Sequence, residues 1–194
     1  MPPPRRAARR RDAEENRARV VAAARELFAE EGFEVPLDAI ARRAGVGRAT
    51  LYRNFPDRGA LAAEIFDGNL RELEAQAAAL GERADALLEL LRAIVDMQVE
   101  AHAMVPALLQ EPRAPDLAAL ERRVRRLLAA PLRRAKAAGQ VREDLAIGDV
   151  TTGLAMIAAV TGDTTVAARR RRARRALELL LYGLLPRGES DTSD

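Results

Sequence analysis

Two short amphipathic segments joined by a glycine-containing turn, within residues 37–55, constrain the fold more than any other feature of this chain. Apolar residues of the first segment recur at i, i+3, i+4 and i+7, the spacing of one helix face. These residues are Leu37, Ile40, Ala41 and Ala44. Gly45 then interrupts the pattern where a helix C-terminus favours a residue that tolerates positive φ. We therefore predict a short helix that ends at a tight turn.

A second helix is predicted from Arg48 to Phe55, with Leu51 and Phe55 facing inward. Pro56 ends it because proline has no amide hydrogen and clashes with the preceding turn. Two such helices form a helix-turn-helix, whose second helix lies in the DNA major groove. The outward faces carry donors suited to phosphates and base edges, and no acid: Arg48, Thr50, Tyr52, Arg53 and Asn54. A surface helical hairpin of a small bundle would show the same spacing, so both interpretations stay open on pattern alone.

Helix-forming residues dominate the whole chain. Ala, Leu, Arg and Glu are abundant and runs of β-branched residues are nearly absent, which predicts an all-α protein. The 194 residues suffice for a DNA-binding domain and a larger helical domain, and the net charge of only +3 means that basic character must be judged locally. Cysteine, a secretory signal pattern and an apolar run of about 18 residues are all absent from the sequence. We therefore expect a cytoplasmic protein with no membrane partner.

Residues 32–61 closely resemble the DNA-binding domain of the TetR family of one-component transcriptional regulators. The features that carry this resemblance are Gly32-Phe33, Ile40-Ala41, Ala44-Gly45-Val46, Thr50-Leu51-Tyr52, Phe55, Asp57-Arg58 and Ala60-Leu61. The resemblance implies about nine helices. They would form an N-terminal three-helix helix-turn-helix domain and a C-terminal helical ligand-binding and dimerisation domain.

The pattern divides the chain into four parts. We expect a disordered basic arm over 1–11, a DNA-binding domain over 12–56, a regulatory and dimerisation domain over 57–186 and a flexible tail over 187–194. Asp57 is predicted to cap the helix that follows it. The predicted helices span about 12–31, 37–44, 48–55, 58–80, 84–104, 116–138, 147–161 and 165–185, with one more short helix among the prolines between 106 and 115.

By position in the family, Arg48 is the candidate base reader, at guanine. Thr50, Tyr52, Asn54 and Arg58 match family positions that hold the DNA backbone. The resemblance thus implies one residue for specificity and four for positioning.

Three further positions of the predicted DNA-binding set depart from the family pattern. Pro36 stands where a threonine or serine is usual, so a hydroxyl contact is lost. Gly47 replaces a common serine and leaves backbone amides available to a phosphate. Ala49 replaces a common glycine. Arg43 and Arg53 complete the set, Arg43 as a flanking charge.

The resemblance also implies a small-molecule site among the helices of the second domain. The candidate lining residues are Met97, Gln98, His102, Met104, Leu108 and Met156. Such a lining would suit an apolar or weakly polar effector. The methionines fit ordinary core positions equally well, His102 fits an ordinary helix residue, and the chain could lack an effector. No cofactor is predicted.

Apolar stripes on the last two helices are predicted to form the interface of a homodimer. The stripe residues are Val150, Leu154, Ile157, Leu177, Leu180, Leu181 and Leu184. In the family, two such helices from each subunit form a four-helix interface, but a single intramolecular hairpin explains the same stripes. The arginine-rich run over 169–175 is predicted to be a solvated helix face that pairs with acids. Pro131 is predicted to kink or split the helix over 116–138.

We therefore expect a dimeric repressor that binds a palindromic double-stranded DNA operator and is released by an effector. An enzyme fits badly, because the sequence has one histidine, no cysteine, no metal-ligand cluster and no glycine-rich phosphate loop. A helical interaction protein with a degenerate helix-turn-helix stays open, given Pro36 and Gly47.

Overall fold

The computed structural model describes residues 5–102, 105, 116–159 and 165–185. These residues form eight α-helices and no strand, which confirms the predicted all-α class. The helices are α1 (Arg5–Glu30), α2 (Leu37–Ala44), α3 (Arg48–Asn54), α4 (Arg58–Leu80), α5 (Ala86–Ala101), α6 (Leu117–Ala137), α7 (Ile147–Ala159) and α8 (Val166–Leu184). The further short helix predicted between residues 106 and 115 lies outside the described residues.

The described chain divides into two compact units, with the division inside α4 between Gly68 and Asn69. In the first unit, α1 packs against both α2 and α3. Its core is apolar and fully buried, and includes Val20, Leu27, Phe28, Phe33, Ile40, Leu51, Phe55, Leu61 and Ile65. Asp57 caps α4 as predicted, because its Oδ1 accepts a hydrogen bond of 2.7 Å from the Ala60 amide.

The first helix begins earlier than predicted. It starts at Arg5 rather than Asp12, so residues 5–11, predicted to be disordered, are helical. Arginine and alanine both have high helix propensity, and nothing between Arg5 and Asp12 would break a helix. The prolines that favoured a prediction of disorder all lie before Arg5.

The second unit is built around α5, which packs against α6, α7 and α8. Eight of its residues are buried, which agrees with its apolar character around most of the circumference: Ala86, Leu87, Leu90, Leu91, Ile94, Val95, Val99 and Ala101. The other helices add further buried residues, including Leu128 and Leu132 from α6, Leu154 from α7 and Leu177 from α8. Among the described residues, none of the helices is both long and apolar enough to cross a membrane.

Proline does not split the sixth helix. α6 continues through Pro131 from Leu117 to Ala137, so the predicted split is wrong, and a kink at Pro131 stays a prediction. The proline removes one backbone hydrogen bond. Leu128 and Leu132 on either side of it are buried in the core, and this packing offsets the loss.

Candidate nucleic-acid interface

The turn between α2 and α3 has the geometry that its sequence predicts. Gly45 adopts φ 65° and ψ 34°, in the left-handed region. Its amide donates to the Arg42 carbonyl at 3.1 Å, and the Val46 amide donates to the Ala41 carbonyl at 3.0 Å. These two bonds form a Schellman motif, which satisfies the last carbonyls of α2 and fixes the direction in which the chain leaves it.

Neither short helix has a side-chain cap at its start. Pro36 and Gly47 occupy the N-cap positions of α2 and α3, and neither contributes a side-chain hydrogen bond. Both residues are exposed. As expected from the proline at position 36, α2 begins without a hydroxyl group that could cap it.

The inward and outward faces of α3 separate as predicted. Leu51 and Phe55 are almost fully buried, whereas Tyr52 is 43% exposed and Ala49 is also exposed. This arrangement anchors α3 through two apolar residues and leaves Ala49 and Tyr52 facing solvent. Thr50 and Asn54 are half-buried.

The polar residues of α3 contact one another across one turn. The Arg53 guanidinium donates to the Thr50 hydroxyl at 3.0 Å, and the Asn54 side-chain amide donates to the Thr50 carbonyl at 2.8 Å. Among the described residues, no acid pairs with Arg53. Its positive charge is therefore available to an external anion.

The candidate base reader, Arg48, lies beside an acid of the preceding helix. Its Nε lies 2.9 Å from Oδ1 of Asp38 in α2, although the two groups are not aligned as a hydrogen bond. The Arg48 side chain is 71% exposed, so solvent screens much of this attraction. The pair orients Arg48 more than it stabilises the fold.

Two other arginines predicted to contact DNA are engaged within the protein. Arg43 pairs with Glu26 of α1 at 3.0 Å and with Glu30 at 3.6 Å. Arg58 donates to Glu34 at 2.6 Å and to the Phe33 carbonyl at 3.2 Å, and its side chain is mostly buried. Arg58 therefore ties the start of α4 to the loop before α2. Phosphate would have to compete with an internal acid at both positions.

Sequence reasoning missed one residue that supports α3, Arg17 of α1. Its guanidinium lies 4.4 Å from the centre of the Phe55 ring and donates to the Asn54 carbonyl at 3.4 Å. It also pairs with Glu64 of α4. The available signal was its position three residues before Val20, in register with the buried stripe of α1.

The described residues predicted to line an effector site differ in their exposure. Met97 is half-buried against the core, and the Gln98 amide donates to the Leu154 carbonyl at 3.3 Å while its buried Oε1 accepts no bond from the described residues. His102 is half-buried just after α5, and Met156 is 64% exposed. Met104 and Leu108 lie outside the described residues.

A cavity of about 400 Å³ lies elsewhere in the second unit, and none of the described residues predicted for the effector site lines it. Its walls come from the start of α5, the end of α6 with the following turn, and the end of α8. The lining residues are Asp85, Leu87, Leu88, Leu91, Ala135, Gly139, Gln140, Val141, Leu181, Leu184 and Leu185. Asp85 is the only acid among these described residues, and a hydrogen bond from Arg83 lowers its pKa below the ordinary value.

Most of the residues predicted to form the dimer interface are buried within the chain itself. Those with almost no exposed surface are Val150, Leu154, Ile157, Leu177 and Leu184. Leu180 and Leu181 are half-buried against the same core. A Cβ added at Gly153 of α7 would lie 2.6 Å from Leu180 of α8, so the two helices pack closely within one chain. The predicted stripes therefore form an intramolecular contact, and the five buried side chains are closed to a partner.

The opposite sides of these two helices are exposed and partly apolar. We use the term outer face for a set of exposed residues on these two helices. They are Thr152, Ala155, Met156 and Ala159 of α7, and Leu179, Tyr182 and Gly183 of α8. The α7 members recur at i, i+3, i+4 and i+7, so they share one side of that helix. Tyr182 is 71% exposed, which is high for a large aromatic residue.

Three arginines of the run in α8 pair with acids, as predicted, whereas neither Arg171 nor Arg172 forms an ion pair with a described acid. Arg170 lies 3.7 Å from Glu100, Arg174 lies 4.0 Å from Asp96 and Arg175 lies 2.9 Å from Glu178. Arg169 is instead buried, and its guanidinium donates to the Val99 carbonyl at 3.3 Å. These three ion pairs all lie within the second unit.

Comparison with family profiles gives two matches. A profile described as bacterial regulatory proteins of the tetR family matches residues 20–65. A second profile, described as the C-terminal domain of SbtR-like transcriptional regulators, matches residues 82–186. The first match contains α2, α3 and the turn between them, and the second contains α5 to α8.

Solved structures of similar proteins cover nearly the whole chain. A TetR transcriptional regulator from Streptomyces coelicolor is 32% identical with a TM-score of 0.72, and the match covers 89% of this chain and 99% of that one. A TetR transcription regulatory protein from Mycobacterium vanbaalenii is also 32% identical, with a TM-score of 0.68 and coverage of 91% and 98%.

A third relative matches over a shorter stretch. An HTH-type transcriptional regulator of Staphylococcus aureus strain USA300 is 42% identical over 62 residues, which is 31% of this chain and 34% of that protein. The chain thus spans about a third of the length of this relative.

Proposed function

Because the chain belongs to the TetR family and is a helix-turn-helix transcriptional regulator that binds DNA, we propose that it is a repressor of a palindromic operator. It would bind this operator as a dimer and leave it when a small effector binds. TetR-family proteins are DNA-binding transcription factors rather than enzymes, so catalysis is set aside. The observation that supports the proposal is the form of α3, with Leu51 and Phe55 buried while Arg48, Tyr52 and Arg53 face solvent.

Arg48 reads a base in this proposal, because an exposed arginine fork can donate to both O6 and N7 of guanine. Arg53 and Tyr52 bind phosphates from the same helix, with Thr50 and Asn54 beside them. Arg53 is the stronger phosphate ligand of this group because no described acid neutralises it. Gly47 and Ala49 let the DNA backbone approach the start of α3, since neither has a side chain beyond Cβ.

Two of the predicted DNA contacts take a different role in the proposal. Arg43 and Arg58 form ion pairs with Glu26 and Glu34, respectively. Each would reach a phosphate only by exchanging a carboxylate for it, and such an exchange yields less free energy than binding by an unpaired cation. We assign these arginines to holding α2 and α4 in place. Pro36 likewise gives no polar contact beyond its carbonyl.

The homodimer is proposed to form through the outer face rather than through the stripes buried in each chain. Small residues on α7 permit close helix packing, and Met156, Leu179 and Tyr182 supply apolar and aromatic surface typical of an interface core. A dimer would present two copies of α3 to successive major grooves, about 34–36 Å apart. The two-fold symmetry of such a dimer matches a palindromic operator, and the groove spacing sets the distance between its half-sites.

The effector is proposed to bind in the cavity at the start of α5, whose volume of about 400 Å³ falls in the range of small-molecule sites. Its leucine-rich walls suit an apolar or weakly polar compound. The predicted site around Met97 and Gln98 is the second candidate, favoured by the buried Gln98 Oε1 that accepts no bond from the described residues.

Binding of the neutral fluorescent probe N-phenyl-1-naphthylamine distinguishes these two places. Leu88→Glu puts a charge in the cavity wall and should abolish probe binding, whereas Gln98→Leu should leave it unchanged. The reverse pattern would move the effector site to the middle of α5.

Selection from a random-sequence duplex library tests the main proposal. The purified protein should enrich one inverted repeat, and footprinting should show two protected half-sites about one helical turn apart. Enrichment of a single, asymmetric half-site would overturn the dimeric palindrome. Failure to enrich any sequence, from a folded protein, would favour a helical interaction protein with a degenerate helix-turn-helix.

A further inference from the structure

The acid beside Arg48 is the feature of the helix-turn-helix that the proposed function leaves without a role. Asp38 lies in the first turn of α2, and its Oδ1 is 2.9 Å from Arg48 Nε across the Gly45 turn. About a third of the Asp38 side chain is exposed, against 71% of Arg48. An acid placed this close to a DNA-facing surface repels phosphates, so it weakens DNA binding in general.

The contact is closest at one edge of the guanidinium, the edge that carries Nε. The closest atom is Nε, and no described residue other than Asp38 forms an ion pair or hydrogen bond with Arg48. The two terminal nitrogens form the fork that matches O6 and N7 of guanine. Asp38 therefore restrains Arg48 from the edge that base recognition does not need.

We propose that Asp38 is a specificity-determining residue, which positions Arg48 to read guanine and keeps it from binding phosphates indiscriminately. The inference rests on the proposed function, because it requires α3 to read DNA. The Arg48 side chain is long and flexible. Because Asp38 holds its Nε, fewer side-chain conformations are lost when the terminal nitrogens bind a base. The carboxylate also lowers the attraction of Arg48 to phosphates at every sequence.

The neighbouring arginine shows what the restraint changes. Arg53 is on the same helix and has no acidic partner among the described residues, and it donates only to the Thr50 hydroxyl. A cation of this kind binds phosphates regardless of sequence. Arg48 differs from Arg53 in having a carboxylate that holds it.

Asp38→Asn tests this role, because asparagine keeps the size of the side chain and removes the charge. The duplex is the one that the wild-type protein selects from a random library, and a scrambled duplex serves as the comparison. Preference is the ratio of the dissociation constants for the scrambled and the selected duplex. Asp38→Asn should bind the scrambled duplex more tightly and lower the preference by at least about fivefold, the lower end of what one bidentate guanine contact discriminates.

Two further variants show whether Asp38 acts through Arg48. Arg48→Ala should lose the preference at the same base pairs, and adding Asp38→Asn to it should cause no further loss. Glu34→Gln removes an equal charge from the Arg58 pair, 2.6 Å long, and should leave the preference within about twofold.

An unchanged preference in Asp38→Asn, with tighter binding to both duplexes, would overturn the proposal and leave Asp38 as a general repulsive charge. An equal loss in Glu34→Gln, or a full additional loss in the double variant, would also overturn it. If the wild-type protein selects no sequence, the proposed function itself fails, and this result is distinct from the others. Thermal unfolding of each variant, followed by circular dichroism, separates these effects from loss of α2.

Discussion

The guanidinium of Arg17 lies 4.4 Å from the centre of the Phe55 ring, at the point where α3 ends. The same side chain donates to the Asn54 carbonyl at 3.4 Å and pairs with Glu64 of α4. One residue of α1 thus holds the C-terminus of α3 by a ring contact, a hydrogen bond and, through α4, an ion pair. The position of α3 depends on this residue as well as on the buried Leu51.

Removing Arg17 should loosen α3. We expect Arg17→Ala to lower the free energy of unfolding by about 1–2 kcal/mol, the sum of a partly exposed cation–π contact and a partly exposed ion pair. Arg17→Lys keeps the charge that pairs with Glu64 but loses the planar stacking on Phe55. Its free energy of unfolding should therefore lie between those of Arg17→Ala and the wild type. Urea unfolding followed by circular dichroism measures both. Equal stability of Arg17→Ala and the wild type would contradict this account.

The left-handed conformation of Gly45 makes it sensitive to any side chain. Gly45→Ala should cost about 1–2 kcal/mol, because a Cβ at φ 65° meets the carbonyl that follows it. Space does not explain this cost, since the nearest atom to the added Cβ, on Arg19, is 3.7 Å away. The denaturant midpoint measures the change.

Gly47→Ser is the matched control for Gly45→Ala. Gly47 has φ −69° and open space around its Cβ position, so a side chain fits without strain. Serine at this N-cap would accept a hydrogen bond from an α3 amide and should stabilise the protein by a few tenths of a kcal/mol. A loss of stability as large as that of Gly45→Ala would show that both glycines are needed for space rather than for conformation.

Charges on the outer face should separate the proposed dimer. Tyr182→Glu and Leu179→Glu together place two like charges at the interface, and sedimentation at micromolar concentration should show monomers. Helix content should be unchanged because both residues are exposed. The matched control is Leu177→Ala, which should cost about 2–5 kcal/mol of stability but leave the dimer intact. A dimer that survives the charged variant would place the interface elsewhere.

Lowering the pH should reduce the stability of the start of α6. The Ala119 amide donates to the Asp116 carboxylate and lowers its pKa below the ordinary value, with Arg122 adding to the effect. A carboxylate whose pKa is lowered by folding stabilises the protein above its unfolded pKa of about 4, and this contribution disappears as the pH falls through the folded pKa. Asp116→Asn keeps a capping side chain that does not titrate. The wild type should be more stable than Asp116→Asn at about pH 6, and the difference should shrink by about pH 3. A constant difference across this range would contradict the assignment.

Local chemistry made the helix-turn-helix predictable from sequence. The left-handed Gly45, the Asp57 cap and the inward pair Leu51 and Phe55 all depend on residues within a few positions of one another. Helix ends and turns are set by such short-range hydrogen bonds, so residue type and spacing suffice to place them.

Contacts between distant segments could not be read in this way. Nothing in the sequence shows that Arg48 meets Asp38, that Arg43 meets Glu26, or that Arg17 lies over Phe55. Apolar spacing also shows which side of α7 is buried but not what covers it. The spacing therefore fits Leu154 either at a dimer interface or in an intramolecular hairpin, and the side chain is buried in the core of its own chain.

Fluorescence anisotropy with the selected and the scrambled duplex, over a salt series, tests the central claim that α3 reads DNA sequence. The wild-type protein should prefer the selected duplex, and its affinity should fall as salt rises, by about one unit of log–log slope for each phosphate contact. Arg48→Ala should lose the preference, whereas Arg126→Ala, which removes an exposed arginine of α6, should keep it. A folded wild-type dimer that binds neither duplex at low salt, or an Arg48→Ala variant with full preference, would contradict the claim.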